Sequence, residues 1–255
     1  PPGEVSAQTT GRPAGPAASA FRAKPDTADA AFVRPDRTIE RYDETYEYNR
    51  ISMELLETCA AALRKHRFET AVVKNTAEAF ERLKAEAEAL APAAVSFGDS
   101  ETMRATGILD FLRDDPRFEL LDGFDPAMPR PERIEIRRRG LLADLFITGV
   151  NALTTQGTLH WLDMVGNRIA PVAFGPRRVV LVAGRNKIVA DRRAAEARIR
   201  ELAAPQNIAR HPGFRTPCAR TGVCMDCNAP DRICNTRMEM LRCYPEGRIP
   251  VILID

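Results

Sequence analysis

From about Thr38 to the final Asp255, short runs of apolar and β-branched residues alternate with segments whose apolar residues recur every three or four positions. That alternation restricts the chain to strands and helices taking turns, hence to a largely parallel sheet covered by helices on both faces. Strands are expected at 71–74, 93–97, 118–121, 143–150, 158–162, 169–174, 178–183 and 250–255. Helices are expected at 38–66, 76–90, 100–112, 134–142 and 192–203. Asn75 with Glu78 reads as a helix cap and its partner carboxylate, Asp191 as a second cap, and Pro205 as a helix stop.

Residues 1–36 are rich in Pro, Ala, Gly, Ser and Thr and lack periodicity. They read as a flexible extension, or as an arm docking on a partner through Phe21 and Phe32. Residues 37–210 read as the α/β domain, and 211–255 as a cysteine-rich segment with a closing strand. A net charge of +2 and 6% aromatic residues argue against a nucleic-acid partner. Neither a membrane span nor a secretory signal is visible, so a cytoplasmic location is expected. A homo-oligomer is compatible with the sequence.

Five of the six cysteines fall at or after Cys218. Cys218, Cys224, Cys227 and Cys234 follow the spacing Cys-x5-Cys-x2-Cys-x6-Cys, with turn formers Thr221-Gly222 and Asn228-Ala229-Pro230 between them. Four soft thiolates on a turn-rich segment suit zinc or an iron–sulfur cluster, and a reducing compartment favours metal over cystine. Buried or redox-paired thiols are the alternative. Cys243 could replace one of the four or stay free, and His211 is a weaker ligand candidate. Cys59 lies in a helical apolar stripe and reads as core.

Ligands of open α/β sheets sit beyond the carboxyl ends of strands. The segment from Thr148 to Thr158 fits that position, with Asn151, Thr154, Gln156, Gly157 and Thr158 offering neutral donors and acceptors. Asn167 and Arg168 follow at a turn, where the arginine could clamp a carboxylate or phosphate. Lys187 follows another strand, and Ser100 opens a helix after Gly98-Asp99. Each also has a plain reading as a solvated turn. No dinucleotide or P-loop glycine motif and no nucleophile–histidine pair is present, so catalytic residues stay unassigned and enzyme status open.

The ordered runs Asp144-Leu145-Phe146-Ile147-Thr148-Gly149-Val150-Asn151-Ala152, Gln156-Gly157-Thr158, Gly166-Asn167-Arg168, Gly175-Pro176 and Val182-Ala183-Gly184-Arg185-Asn186-Lys187-Ile188-Val189 resemble the core of LUD-domain (lactate-utilization) proteins. Phe97-Gly98-Asp99-Ser100-Glu101-Thr102 is similar to the family's Gly-Gly-Ser-x-Thr turn, with Asp99 in place of its second glycine. The stretch Thr216-Pro217-Cys218 to Arg232-Ile233-Cys234-Asn235 resembles a subset with a C-terminal cysteine motif. The resemblance implies a fold like the NagB/RpiA/CoA-transferase group and a link to L-lactate oxidation beside iron–sulfur partner proteins. It therefore implies an accessory or electron-transfer protein of 2-hydroxy-acid utilization, carrying a Cys-ligated iron–sulfur cluster (4Fe-4S) and working with iron–sulfur or oxidoreductase partner subunits. The other readings are an enzyme binding a small carboxylate or phosphorylated ligand, with structural zinc, and a scaffold whose N-terminal arm binds a partner.

Overall fold

The computed structural model describes residues 44–255, with side chains from Met53 onward, and these residues form one compact unit. The 1–36 extension and the start of the first helix lie outside the described residues.

Six strands, β1 (Thr70–Val73), β2 (Ala94–Phe97), β3 (Glu119–Leu121), β4 (Leu145–Gly149), β7 (Arg178–Gly184) and β10 (Val251–Ile254), form one sheet in the order β1-β10-β7-β4-β2-β3. Every pairing in it is parallel. A smaller sheet holds β5 (Ala152–Thr154), β6 (Leu159–Asp163), β8 (Ile188–Val189) and β9 (Thr236–Met240), in the order β8-β5-β6-β9. Here β6 runs antiparallel to both neighbours, and β5 parallel to β8.

The large sheet is buried on both faces, which is why its strands read as unbroken apolar runs. Val179, Leu181 and Ala183 of β7 pack with Leu56, Cys59, Ala60 and Leu63 of α1 (Glu44–Lys65), and with Leu153, Leu159 and Trp161 of the small sheet. Val180 and Val182 face α2 (Thr76–Leu90) and α4 (Ile108–Asp114) through Leu83, Ala87, Ile108 and Leu112. Between β2 and α4 lies the short α3 (Glu101–Arg104), and α5 (Arg130–Arg139) precedes β4. Cys59 is fully buried, its thiol donates to the Thr154 carbonyl, and burial pushes it up to about 12. It is a core residue, as its apolar stripe suggests.

The α2 cap forms as read: the Asn75 side chain accepts from the Glu78 N–H at 2.9 Å, and the Glu78 carboxylate accepts from the Lys74 N–H. Two expectations are corrected. Residues 169–173 form a helix, α6 (Ile169–Ala173), and not a strand. The Asp163 carboxylate accepts the backbone N–H groups of Arg168 and Ile169, two first-turn donors, and Pro171 falls in the first turn where a helix tolerates it. Pro205 does not stop its helix. The helix α7 (Arg192–Arg198) passes through a π turn (Ile199–Ala203) into α8 (Ala204–Ala209), and Pro205 sits in the first turn of α8. The wider π turn gives the proline ring room that an α-helical turn lacks. Strands β5, β8 and β9 were not expected.

Gly157 closes the β5–β6 hairpin at φ +84°, and a Cβ there would stand 2.7 Å from the Ala62 backbone. Gly157→Ala combines left-handed strain with a backbone collision. It is expected to destabilise the fold by about 2–4 kcal/mol in urea titration. Asp163→Ala removes the α6 cap and the one carboxylate that balances the largely buried Arg168 guanidinium. A loss of about 3–5 kcal/mol is expected in the same assay, against about half that for an isolated helix cap.

Candidate functional site

Three parallel strands, β2, β4 and β7, end side by side, and the residues that follow them meet at one edge of the large sheet. Beyond β2, Gly98 and Ser100 are packed against their neighbours. A Cβ on Gly98 would lie 2.5 Å from Thr148 Oγ1 and 2.6 Å from Arg168 Cγ. A Cβ on Gly149 would lie 2.2 Å from Ser100 Oγ. The glycines are what let the ends of β2 and β4 and the Arg168 stem come this close. Ser100 is buried and caps α3 through the Met103 N–H.

Arg168 is the centre of a buried polar junction. Its Nε donates to Asp163 Oδ1 at 2.7 Å, and its Nη2 lies 2.6 Å from the same oxygen. Nη2 also donates to Asn151 Oδ1 at 3.1 Å and to the Leu162 carbonyl at 2.7 Å. Asn151 Oδ1 accepts the Leu162 N–H as well. The guanidinium expected to clamp a ligand is thus engaged with the protein itself.

Lys187 behaves differently. It is half-buried, and it makes no hydrogen bond or ion pair among the described residues. Burial pushes its amine down to about 8, with the cations of Arg198 and Arg168 acting in the same direction and Glu101 opposing. Arg198 reaches over from α7, donating Nη1 to the Asn151 carbonyl and Nε to the Asn186 carbonyl. Burial lowers its pKa too. Glu101 is held by Arg210, which also reaches Asp99 at 3.8 Å. Lys187 is thus a half-buried cation that feels two neighbouring cations and one acid, Glu101, with which it forms no ion pair among the described residues.

The remaining expected ligand residues lie apart from this point. Thr154 and Thr158 join hydroxyls at 2.8 Å, and Thr158 Oγ1 bonds His160 Nε2 at 2.9 Å. Glu239 lies 3.7 Å from that nitrogen. Burial lowers the His160 pKa, outweighing Glu239, so this ladder is a neutral, internally satisfied network. Gln156 is exposed at the hairpin tip, and Asn167 is half-exposed in the turn before α6. The Gly157 N–H, read as a donor for a ligand, instead donates to the Thr154 carbonyl at 2.9 Å, while the Gly157 carbonyl meets His66 Nδ1. Sequence reasoning did not single out Arg198 or Glu101. An arginine on the α7 stripe that also carries buried Ala195 and Ile199 was the available signal.

Cys218, Cys224, Cys227 and Cys234 are half-buried, unpaired thiols on a segment whose one regular element is α9 (Pro217–Thr221). Arg232 binds the carbonyls of Cys227 and Cys234 and the Asp226 carboxylate, and Arg200 lies against Cys224. The donor chemistry fits a soft metal. Yet among the described residues no three Cys, His, Asp or Glu side chains are placed to hold one ion. Cys243 is buried and donates to the Pro245 carbonyl, and His211 packs on Phe214.

No described helix is long and apolar enough to cross a membrane. No curated protein matches the chain. A crystal structure of a DUF162 family protein from Deinococcus radiodurans is similar over 80% of this chain and 98% of that one, at 16% identity and a TM-score of 0.45. The LUD-domain profile matches residues 56–254, a span that holds both sheets, the strand-end edge and the cysteine segment. The chain belongs to the LUD-domain family, which is associated with lactate utilization.

Proposed function

We propose that this protein binds a small carboxylate of the 2-hydroxy-acid class at the strand-end edge, with Lys187 as the charged contact. The observation that carries the reading is a half-buried lysine with no hydrogen bond or ion pair among the described residues, while the cations that act on it, Arg198 and Arg168, spend their hydrogen bonds on the protein. A carboxylate arriving there satisfies the ammonium and is attracted by the two fixed charges. The family's association with lactate utilization supports the choice of ligand class.

The binding cation is present only while Lys187 is protonated. Lactate affinity measured by calorimetry is therefore expected to hold between pH 6 and about 7.5, then to fall as pH passes about 8. Lys187→Met is expected to abolish the binding. The amine holds its proton less tightly in the folded chain than in the unfolded one, so charging it opposes folding below about 8. That penalty fades as pH rises toward the ordinary lysine value. Lys187→Met should accordingly raise stability at pH 7 by about 1–2 kcal/mol and give no gain near pH 10. Lactate binding that ignores both pH and the substitution rules the reading out.

A second reading is favoured by the cysteine segment. One guanidinium, Arg232, gathers the carbonyls of Cys227 and Cys234, so part of a ligand loop is already drawn together. On this reading Cys218, Cys224, Cys227 and Cys234 take up an iron–sulfur cluster or zinc, and the protein serves electron transfer or carries a structural ion. Protein purified without oxygen is expected to contain iron with acid-labile sulfide, or zinc, lost in a Cys224→Ser/Cys227→Ser variant. Metal-free protein with an unchanged melting temperature excludes it.

A further inference from the structure

Helix α5 carries Arg130, Arg133 and Arg137 at spacings of three and four, which places them on one face. The other two arginines of its last turn have partners: Arg138 lies 3.7 Å from Glu135, and Arg139 lies 2.8 Å from Glu119. The first three have no carboxylate of their own among the described residues. Arg130 and Arg133 make no ion pair, and Arg133 Nε is buried with no hydrogen-bond acceptor. Arg137 donates Nε to the Gly123 carbonyl at 2.9 Å and stacks 4.2 Å above the Phe124 ring.

The two acids whose charges act on Arg137 are already in use. Asp99 pairs with Arg104 at 2.7 Å, and Asp122 lies 3.5 Å from Arg113 while accepting the Phe124 N–H. Burial first, and then the charges of Arg133 and Arg130, lower the Arg137 pKa, with Asp99 and Asp122 opposing. The helix packs closely on the preceding loop: a Cβ on Gly123 would lie 2.6 Å from Arg137 Cγ and 3.0 Å from the Arg133 carbonyl.

We infer that the Arg130–Arg133–Arg137 face of α5 is a binding site for a phosphate group. One carboxylate is matched by one guanidinium fork, whereas several guanidinium groups on one face match the charge and the many acceptor oxygens of a phosphate. Arg133 adds a guanidinium whose buried Nε no protein acceptor engages. The phosphate is either the free inorganic ion or the phosphoryl end of a small metabolite. The inference uses none of the residues of the Lys187 site, so either can fail alone.

The test uses the full chain in calorimetry and thermal melts, titrated with inorganic phosphate and with 3-phosphoglycerate, against sodium chloride at equal ionic strength. Wild type and Arg138→Gln, whose arginine is paired on another face, are expected to bind alike. Arg133→Gln and the more exposed Arg130→Gln are expected to bind about tenfold more weakly. Saturation by inorganic phosphate identifies the free ion as a sufficient ligand. Saturation by 3-phosphoglycerate alone, lost in Arg133→Gln, identifies a phosphorylated metabolite. Equal binding by Arg130→Gln, Arg133→Gln and Arg138→Gln overturns the inference, as does a phosphate effect reproduced by chloride. Retention on heparin with no response to either phosphate overturns it in favour of a polyanion surface.

Discussion

The contact between Asp163 and Arg168 holds the working edge of this molecule in place. Asp163 ends β6 of the small sheet, and its carboxylate takes both a guanidinium and the first two N–H groups of α6. The same guanidinium reaches back to Leu162 and across to Asn151, while its stem lies over Gly98 at the end of β2. One ion pair thus ties the small sheet, α6 and the large sheet together. A buried pair of this kind adds little net stability, because desolvation offsets the attraction. Its value lies in fixing geometry: breaking it exposes an uncompensated charge, so alternative packings are costly.

That fixed charge sets the electrostatics of Lys187. Arg168 is neutralised in part by Asp163, but Arg198 ends on two carbonyls and keeps its full charge. The acid nearby, Glu101, is shared with Arg210. Lys187 is then the group free to respond, and its response is either to release a proton or to recruit an anion. Proteins commonly tolerate such local instability where a ligand relieves it. The neutral Thr154–Thr158–His160 ladder marks the contrast: it is as polar, but its demands are met internally, so it has nothing to offer a ligand.

What the sequence made legible follows from how local each signal was. The Asn75–Glu78 cap involves four neighbouring residues and no distant one, and it forms as read. The β-branched runs of β4 and β7 identify themselves because both faces of the large sheet are covered. Residues 169–173 misled because their apolar, β-branched content resembles a strand, while the cap that makes them helical comes from Asp163 on another element. The strand β9 hid because it carries Arg237 before and Glu239 between its methionines and earns its place by pairing with β6. Lys187 and Ser100 were visible as strand-end residues. The Ser100 cap on Met103 is as local as the Asn75 cap, whereas the cations that surround Lys187 and the close approach of Gly149 to Ser100 come from distant parts of the chain that only the fold brings near.

The position of the cysteine segment governs how its role can be approached. It is strung between α8 and β9, and the chain then enters the large sheet as β10, between β1 and β7. Val251, Ile252, Leu253 and Ile254 are all buried there. Removing residues 211–255 would therefore extract an interior strand from the large sheet and an edge strand from the small one. Any loss of function after such a truncation would report on folding rather than on thiols. Single substitutions at Cys218, Cys224, Cys227 or Cys234, which are half-buried and belong to no strand, leave both sheets intact and isolate the chemistry of sulfur from the architecture that carries it.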